Sequence, residues 1–269
     1  MELAPEAVAA GVRLIAHARV GSTNTEALAL ARAGERGAVW VTAGEQTAGR
    51  GRRGRDWHSP AGNLHASLLV IEPCAPQSAA QLSFVAALAL YDAVLEVGVG
   101  LSERLRFKWP NDLLLDRSKF AGILVEGETL PDRCMAVTIG IGMNCIAAPA
   151  QTPYPATSLR EAGIHAAAEA VFQPLSAKML RRMAQWRSGS DFCSIRNDWL
   201  ARALPVGEPI RIRSAETEVE GQFRDIDPEG RLLLGLVDGT VQAFTAGEII
   251  AAGLTDHLRR SESRDALRR

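Results

Sequence analysis

The spacing of apolar and polar residues in the first two hundred positions switches repeatedly between a helical period and a strand-like one. Helices are predicted over residues 22–33, 77–97, 157–162, 168–187 and 191–202. Strands are predicted over 38–43, 63–71, 104–109 and 135–144, together with a hairpin formed by 112–116 and 120–128. Thr23 and Glu26 have the spacing of a capping box at the start of the first helix. This mixture predicts an α+β fold in which helices pack on a mixed sheet.

The pattern changes at Leu204–Pro205. Residues 207–250 contain short alternating runs that are separated by glycines and Asp-containing turns, which predicts a small β-barrel of the SH3-like kind. We therefore divide the chain into a larger domain, residues 1–204, and a C-terminal β domain, residues 205–253. The charged tail, residues 254–269, is expected to be frayed.

Composition narrows the class of protein. The 269 residues are 47% apolar and 23% charged, and the formal net charge of -1 gives no general attraction to nucleic acid. The four cysteines are widely separated without a C-x-x-C pair, which disfavours a zinc site or a disulfide framework and fits a reducing compartment. No apolar stretch is long enough to span a membrane, and the N-terminus does not look like a signal peptide. We therefore expect a soluble, cytoplasmic protein with no membrane partner.

The segment GRGRRGRDWHSP, residues 49–60, concentrates four arginines within six positions: Arg50, Arg52, Arg53 and Arg55. It matches G-x-G-x-x-G, but no helix is predicted to follow, so a dinucleotide-binding turn is disfavoured. A P-loop is disfavoured because Arg55-Asp56 stands where Lys-Ser/Thr is required. Three interpretations remain: a solvated charged loop, a nucleic-acid contact that uses Trp57, or a loop that orders over a small phosphorylated ligand.

A second cluster, KWPNDLLLDRSKFAGILVE at 108–126, places Lys108, Asn111, Asp112 and Lys119 around a strand end and a tight turn. Asn111 and Asp112 are compatible with a simple Asx turn. Lys119 is compatible with a solvated turn residue or with an ammonium group that faces an acidic ligand.

Six segments in succession resemble the motifs of biotin–protein ligases. They are STN at 22–24, EQTAGRGRRGRDWHSP at 45–60, GNLHASL at 62–68, KWPND at 108–112, KFAGILVE at 119–126 and IGIGMN at 139–144. Their order and spacing match the family over about residues 14–250. The resemblance implies a catalytic domain like that of class II aminoacyl-tRNA synthetases and biotin ligases. It also implies a monofunctional enzyme, because only about twenty residues precede STN, too few for the N-terminal DNA-binding repressor domain of some members.

The resemblance implies a two-step reaction in which biotin and ATP form biotinyl-5'-adenylate, and the biotinyl group then passes to a lysine of a carrier protein. It assigns Lys119 and Arg52 as catalytic residues that offset the repulsion between the biotin carboxylate and the triphosphate. The implied biotin-binding residues are Ser22, Thr23, Asn24, Gln46, Gly49, Arg50, Gly51, Arg52, Lys119 and Gly122. The implied ATP-binding residues are Arg52, Arg55, Trp57, Lys108, Asn111, Asp112, Lys119 and Asn144. For Trp57, a hydrophobic plug beneath the loop remains the alternative to packing beside adenine.

The resemblance further implies ATP with Mg²⁺ as co-substrate, no tightly bound prosthetic group, and no residue that we assign as a metal ligand. The expected partner is the biotin carboxyl carrier domain of a biotin-dependent carboxylase, with no DNA, and a homodimer remains open. A lipoate-type ligase and a nucleic-acid-binding protein that uses the arginine segment remain the alternative functions.

Overall fold

The computed structural model describes residues 1–252 except 151, 153, 215 and 216. It contains a seven-stranded mixed sheet with helices on both faces and a five-stranded antiparallel sheet. This arrangement confirms the predicted α+β fold with a small C-terminal β domain. The predicted tail, 254–269, and Gly253 lie outside the described residues.

The larger sheet has the strand order β1-β2-β3-β7-β6-β5-β4, in which β1 and β2 are parallel and the other neighbours are antiparallel. Its strands are β1 (Arg13–Val20), β2 (Val39–Gln46), β3 (Leu64–Ile71), β4 (Leu105–Lys108), β5 (Asp112–Leu115), β6 (Ser118–Thr129) and β7 (Met135–Met143). The helices are α1 (Pro5–Ala9), α2 (Thr23–Arg32), α3 (Leu82–Val94), α4 (Leu101–Arg104), α5 (Ala168–Trp186) and α6 (Phe192–Leu200). Short 3-10 turns occur at Arg52–Gly54, Pro76–Gln81 and Arg187–Gly189.

Alternation along the central strands separates the main core from an open face of the sheet. In β7, Ile139 and Ile141 belong to the core that α3 and α5 cover, whereas Gly140 and Gly142 lie on the opposite face. On that opposite face, α2 packs Ala27, Leu28 and Ala31 against β2 and β3. Because α2 is short, the part of this face over β6 and the end of β7 is left for a cavity.

The C-terminal β domain consists of β8 (Pro209–Ser214), β9 (Thr217–Ile226), β10 (Leu232–Gly235), β11 (Val241–Phe244) and β12 (Glu248–Ala252), in the order β11-β10-β9-β8-β12. It packs against α6 and the end of β4. Lys108 donates a hydrogen bond to the carbonyl of Ile249, and the Trp109 indole donates one to Gly230. The KWPND segment therefore joins the two sheets.

Several predicted elements differ from the structure. The predicted helix at 157–162 does not form. Lys119 exchanges backbone hydrogen bonds with Pro155 and Thr157, which holds 155–157 extended, and only turns follow from Leu159 onward. The predicted capping box is wrong, since Ser22 is the N-cap and the Thr23 hydroxyl bonds Gln46 instead.

The predicted helix 77–97 is divided into the 3-10 turn Pro76–Gln81 and the shorter α3. Neither α1 nor the edge strand β1 was predicted. Among the described residues, no helix combines the length and apolarity needed to cross a lipid bilayer.

Candidate active site

A cavity opens on the free face of the larger sheet, where the arginine segment, the KWPND segment and the start of β12 converge. The structure brings nearly all of the predicted site residues to its walls: Ser22, Thr23, Asn24, Gln46, Arg50, Gly51, Arg52, Arg55, Trp57, Lys108, Asn111, Asp112, Lys119, Gly122 and Asn144. Gly49 is the exception. It is buried against Ser59 and the Trp57 carbonyl, where a Cβ would stand 2.5 Å and 2.6 Å from their oxygens. Gly49 therefore shapes the loop rather than the cavity wall.

The floor of the cavity is made of glycines. Gly122 in β6 pairs with Gly142 in β7, and Gly140 lies two residues earlier in β7. The Trp57 side chain rests on this floor: a Cβ at Gly122 would lie 3.2 Å from the ring, and one at Gly142 would collide with the indole nitrogen. Two adjacent strands without side chains thus leave room for a flat group. The sequence analysis gave no role to Gly140 or Gly142, although the alternation of isoleucine and glycine in IGIGMN signals such a floor.

One end of the cavity carries a chain of uncharged polar groups. The Gln46 Oε1 accepts from the Thr23 amide and hydroxyl at 2.8 Å and 3.0 Å, and the Gln46 Nε2 donates to Ser59 at 2.9 Å. The buried Ser67 hydroxyl lies 2.7 Å from the Thr23 Oγ1 and 2.6 Å from the Asn24 Oδ1. Ser59 and Ser67 were missed by the sequence analysis. The chain fixes the orientation of the predicted biotin-contacting amides.

Asn24 has protein partners at both ends of its amide. Its Oδ1 meets Ser67, and its Nδ2 donates to the Leu124 carbonyl at 3.3 Å and to the Glu126 carboxylate at 2.7 Å. Glu126 was also missed, because a glutamate at the end of an apolar strand has no distinctive sequence signal. Asn24 therefore supports the wall of the site and has little bonding capacity left for a ligand.

The other end of the cavity is cationic and is organised by Asp112. This carboxylate is 6% exposed and forms ion pairs with Lys108 at 2.8 Å and Lys119 at 2.6 Å. Burial acts to raise the pKa of Asp112, but the two ammonium groups outweigh burial and hold the pKa well below its usual value. Lys108 is buried over the Tyr154 ring, whereas Lys119 is 27% exposed and lies 5.3 Å from the centre of the Trp57 ring. Lys119 is thus the ammonium group that faces the cavity.

The arginine segment folds over the cavity, and protein acceptors hold three of its guanidinium groups. Arg52 donates to the Asn111 side chain at 3.3 Å and to the Gly247 carbonyl at 3.1 Å. Arg55 binds both Glu248 oxygens at 2.7 Å and 2.8 Å, and Arg50 binds Glu126. Burial lowers the pKa of Arg52, against the opposing effect of Asp112. Each of these three guanidinium groups therefore lies against an oxygen acceptor of the protein.

The remaining predicted nucleotide contacts are held by backbone groups. The Asn111 amide donates to the Ile123 carbonyl at 2.6 Å, and the Asn144 amide donates to the Thr157 carbonyl at 3.1 Å. Both side chains line the cavity, and the Asn111 oxygen accepts from Arg52.

Within the described part of the chain, no group of three or more His, Cys, Asp or Glu side chains could hold a metal ion. Asp112 and Glu248, two of the acids that line the cavity, are each engaged by cations. Burial raises the pKa of Cys145 to about 12, so this thiol is protonated near neutral pH and packs as an apolar group.

An α+β domain whose cavity joins a neutral polar end to a cationic end has the features of a ligase that activates an organic acid with a nucleotide. Residues 17–144 match the Biotin/lipoate A/B protein ligase family, and residues 206–251 match the Biotin protein ligase C terminal domain. The chain is 45% identical over 246 residues to a biotin–acetyl-CoA-carboxylase ligase of Paracoccus denitrificans. The aligned region covers 88% of this chain and 99% of that protein. The chain therefore belongs to the biotin/lipoate A/B protein ligase family.

Two further relatives agree with this assignment. The Mycobacterium tuberculosis protein of the same name is 34% identical over 242 residues, which cover 87% of this chain and 86% of that protein. The solved structure of the Aquifex aeolicus biotin protein ligase in complex with biotin and ATP has a TM-score of 0.72 at 25% identity. That comparison covers 88% of this chain and 97% of the other.

Proposed function

We propose that the chain is an ATP-dependent biotin–protein ligase and that the cavity holds both of its substrates. The observation that carries the proposal is the division of one cavity into an uncharged polar end around Thr23 and Gln46 and a cationic end around Lys119 and Arg52. Biotin has the same division, because its ureido ring is neutral and its valeryl chain ends in a carboxylate. The name and bound ligands of the relatives point to the same substrate pair.

At the neutral end, the ureido group meets donors and acceptors from Ser22, Thr23 and Gln46, and the backbone of Arg50 and Gly51 closes over it. Lipoate carries a disulfide ring in place of the ureido group and cannot use these hydrogen bonds. The polar chain therefore favours biotin over lipoate, because the lipoate ring would displace water from these polar groups without replacing its hydrogen bonds, at a cost of about 1–3 kcal/mol.

At the cationic end, a biotin carboxylate oxygen attacks the α-phosphorus of ATP. A carbon–oxygen–phosphorus link forms, the bond between the α-phosphorus and its bridging oxygen breaks, and pyrophosphate leaves. Lys119 and Arg52 offset the charge of the two acids as they approach. Arg55, Trp57, Asn111 and Asn144 contact the nucleotide, and Asp112 holds Lys119 in position.

In the second step, the amine of a carrier lysine attacks the acyl carbon, an amide bond forms and AMP leaves. The adenylate is a mixed anhydride that water hydrolyses, so the arginine segment acts as a lid that excludes water. We propose that the acceptor is the biotin carboxyl carrier domain of a carboxylase, in line with the name of the Paracoccus relative. Mg²⁺ is part of the MgATP substrate, and we assign it no protein ligand. We do not propose that the chain binds DNA. A homodimer remains a prediction.

The decisive experiment measures pyrophosphate release from MgATP when biotin is added without any carrier protein. We expect stoichiometric, single-turnover release with biotin, because adenylate forms and stays bound, and much weaker release with equimolar lipoate. Faster release with lipoate would favour the lipoate-type alternative. No release with either acid, together with salt-sensitive binding of an oligonucleotide, would favour the nucleic-acid alternative.

A further inference from the structure

Two glutamates on one face of β6, Glu126 and Glu128, are both paired with arginines but have different surroundings. Glu128 pairs with Arg32, the last residue of α2, and both groups lie away from the cavity. Glu126 instead accepts hydrogen bonds from Asn24, at the start of α2, and from Arg50, at the start of the arginine segment. One carboxylate therefore touches both the base of the site and its lid.

We propose that Glu126 is a positioning residue that couples closure of the arginine segment to the orientation of Asn24 at the biotin end of the cavity. This inference rests on the proposed function, since it concerns how that site is assembled. Glu126 is not a ligand of biotin in this proposal, because its two oxygens are occupied by protein donors.

The geometry of the carboxylate supports the coupling. Its Oε2 accepts from the Asn24 Nδ2 at 2.7 Å and from the Arg50 Nη2 at 3.1 Å, and its Oε1 lies 3.2 Å from the same Arg50 nitrogen. The Arg50 Nη1 also donates to the Thr25 hydroxyl at 2.8 Å. Arg50 thus spans from β6 to α2, and it cannot swing away without losing both contacts.

The orientation of Asn24 links this contact to the rest of the site. Because Glu126 and the Leu124 carbonyl both accept from the Nδ2, the Oδ1 is directed to Ser67, which also contacts Thr23. From Thr23 the hydrogen bonds continue through Gln46 to Ser59, at the other end of the arginine segment. The arginine segment is therefore hydrogen-bonded to the same polar chain at both of its ends. Arg50 and Glu126 make the link at one end, and Ser59 makes it at the other.

The pair is partly solvated, with Arg50 39% and Glu126 31% exposed, so its individual contribution is modest. A modest contribution suits a lid, because the segment must open to admit substrates and release products. In the ligand-free protein Glu126 supplies a negative charge for Arg50, and the lid can then close without a bound anion.

The test compares Glu126→Gln with Glu128→Gln in the full chain. Glutamine keeps an acceptor for Asn24 but removes the charge that holds Arg50. Trypsin digestion measures directly how accessible the lid is, since trypsin cleaves after arginine. Mass spectrometry identifies the cuts after Arg50, Arg52, Arg53 and Arg55. For Glu126→Gln we expect about two- to fivefold faster cleavage in the ligand-free protein and a similar rise in the biotin KM. The single-turnover rate constant of adenylate formation at saturating biotin and the ATP KM should stay within twofold.

Glu128→Gln is the matched control, because it removes the same kind of ion pair two residues along the same strand. We expect it to change neither cleavage within the segment nor the biotin KM. A double variant, Arg50→Gln with Glu126→Gln, should be no more open than Arg50→Gln alone if the two side chains act together. If Glu126→Gln does not fold, Glu126→Asp, which withdraws the carboxylate by one methylene, takes its place with the same expected changes.

Unchanged cleavage and biotin KM in the Glu126 variant, or equal effects in the Glu128 variant, would overturn the coupling. A rise in cleavage without any change in the biotin KM would also overturn it, because the lid would then move independently of the pocket. The cleavage assay needs no activity. Failure of the biotin-ligase proposal, seen as no pyrophosphate release from the wild-type protein, is therefore distinguishable from failure of this inference.

Discussion

Lys108 and Lys119 share one carboxylate but have different surroundings. Lys108 is 1% exposed and is held by Asp112, by the Ile249 carbonyl and by the Tyr154 ring. Lys119 has Asp112 as its anionic partner and keeps part of its ammonium group toward the cavity. An ammonium group that is placed by one buried carboxylate can turn toward a ligand anion at little cost, because Asp112 retains Lys108. Of the two, Lys119 is therefore the better electrostatic catalyst and Lys108 the better structural cation.

Replacing Lys119 by alanine should nearly abolish adenylate formation. The variant loses the cation that separates the two acids, so the single-turnover rate constant for pyrophosphate release at saturating substrates should fall by about 10²–10³-fold or more. Binding of biotin should weaken less, because the ureido contacts at Thr23 and Gln46 remain. The measurement is single-turnover pyrophosphate release, with biotin binding followed by calorimetry. Lys178→Ala, which removes an α5 lysine paired with Glu96, is the control and should leave both unchanged. Retention of a tenth of wild-type activity in the Lys119 variant would contradict its assigned role.

At the scale of single elements, β7 and the arginine segment together determine the shape of the cavity. The isoleucines of β7 hold the strand in the core, and its glycines allow the Trp57 ring to rest on the sheet. The segment that carries Trp57 is irregular apart from the turn Arg52–Gly54 and the isolated bridge between Arg50 and Asp56, so the ring depends on the floor beneath it for its position. A substitution in β7 should therefore disturb the lid, although β7 lies far from the lid in the sequence.

Gly142→Ala should displace Trp57. Because this ring belongs to the lid over biotin and also contacts the nucleotide, binding of biotin and of the adenylate should weaken. The added Cβ would overlap the indole nitrogen, and the ring must move because the strand is fixed on both sides by β3 and β6. We expect at least a tenfold loss of biotin affinity with little change in overall folding, measured by calorimetry and by circular dichroism. Gly127→Ala is the control, since its Cβ would meet only the Ala136 carbonyl at 3.8 Å. Unchanged affinity in Gly142→Ala would show that Trp57 is not positioned by the floor.

The sequence predicts much of this architecture, because the apolar alternation is local information. The hairpin β5–β6, strand β7 and helices α5 and α6 follow from it directly. The failures arise where a tertiary partner competes with a local signal: Gln46 takes the hydroxyl that the capping box needed, and the Lys119 backbone holds 155–157 extended. Strand β1 was not predicted because it is an edge strand in which Arg13, His17 and Arg19 interrupt the apolar alternation.

The candidate site was predictable as a set of motif residues but not as a network. Arg52, Lys119 and their neighbours lie in segments of unusual composition, which the sequence shows without a structure. Ser59, Ser67 and Glu126 are common residue types far apart in the chain, and only the fold brings them to Gln46 and Asn24. The acceptors of Arg52 and Arg55 at Gly247 and Glu248 depend on how the two sheets pack, which no local pattern encodes.

At the scale of the whole molecule, the cavity lies at the junction of the two sheets. The C-terminal β domain closes the cationic end, since the residues before and at the start of β12 accept from Arg52, Arg55 and Lys108. The Trp109 indole fixes the same junction by its hydrogen bond to Gly230. The folding of the small domain and the assembly of the nucleotide end of the site are thus linked through KWPND.

Lys108→Met tests this linkage because methionine keeps the volume of the stem and removes the buried charge. Asp112 then retains Lys119 alone, and the Ile249 carbonyl loses its side-chain donor, so we expect about 3 kcal/mol less stability toward urea near neutral pH. The pKa of Asp112 is depressed in the folded protein, so its contribution is present above the ordinary value of about 3.9 and is lost as the pH falls below it. The difference in stability between Lys108→Met and wild type should therefore shrink in acid.

Arg211→Met, which breaks the exposed pair with Glu220 in the small domain, is the control and should cost no more than about 1 kcal/mol. Equal losses in the two variants would mean that Lys108 contributes no more than a surface ion pair, and that the junction depends on apolar packing alone.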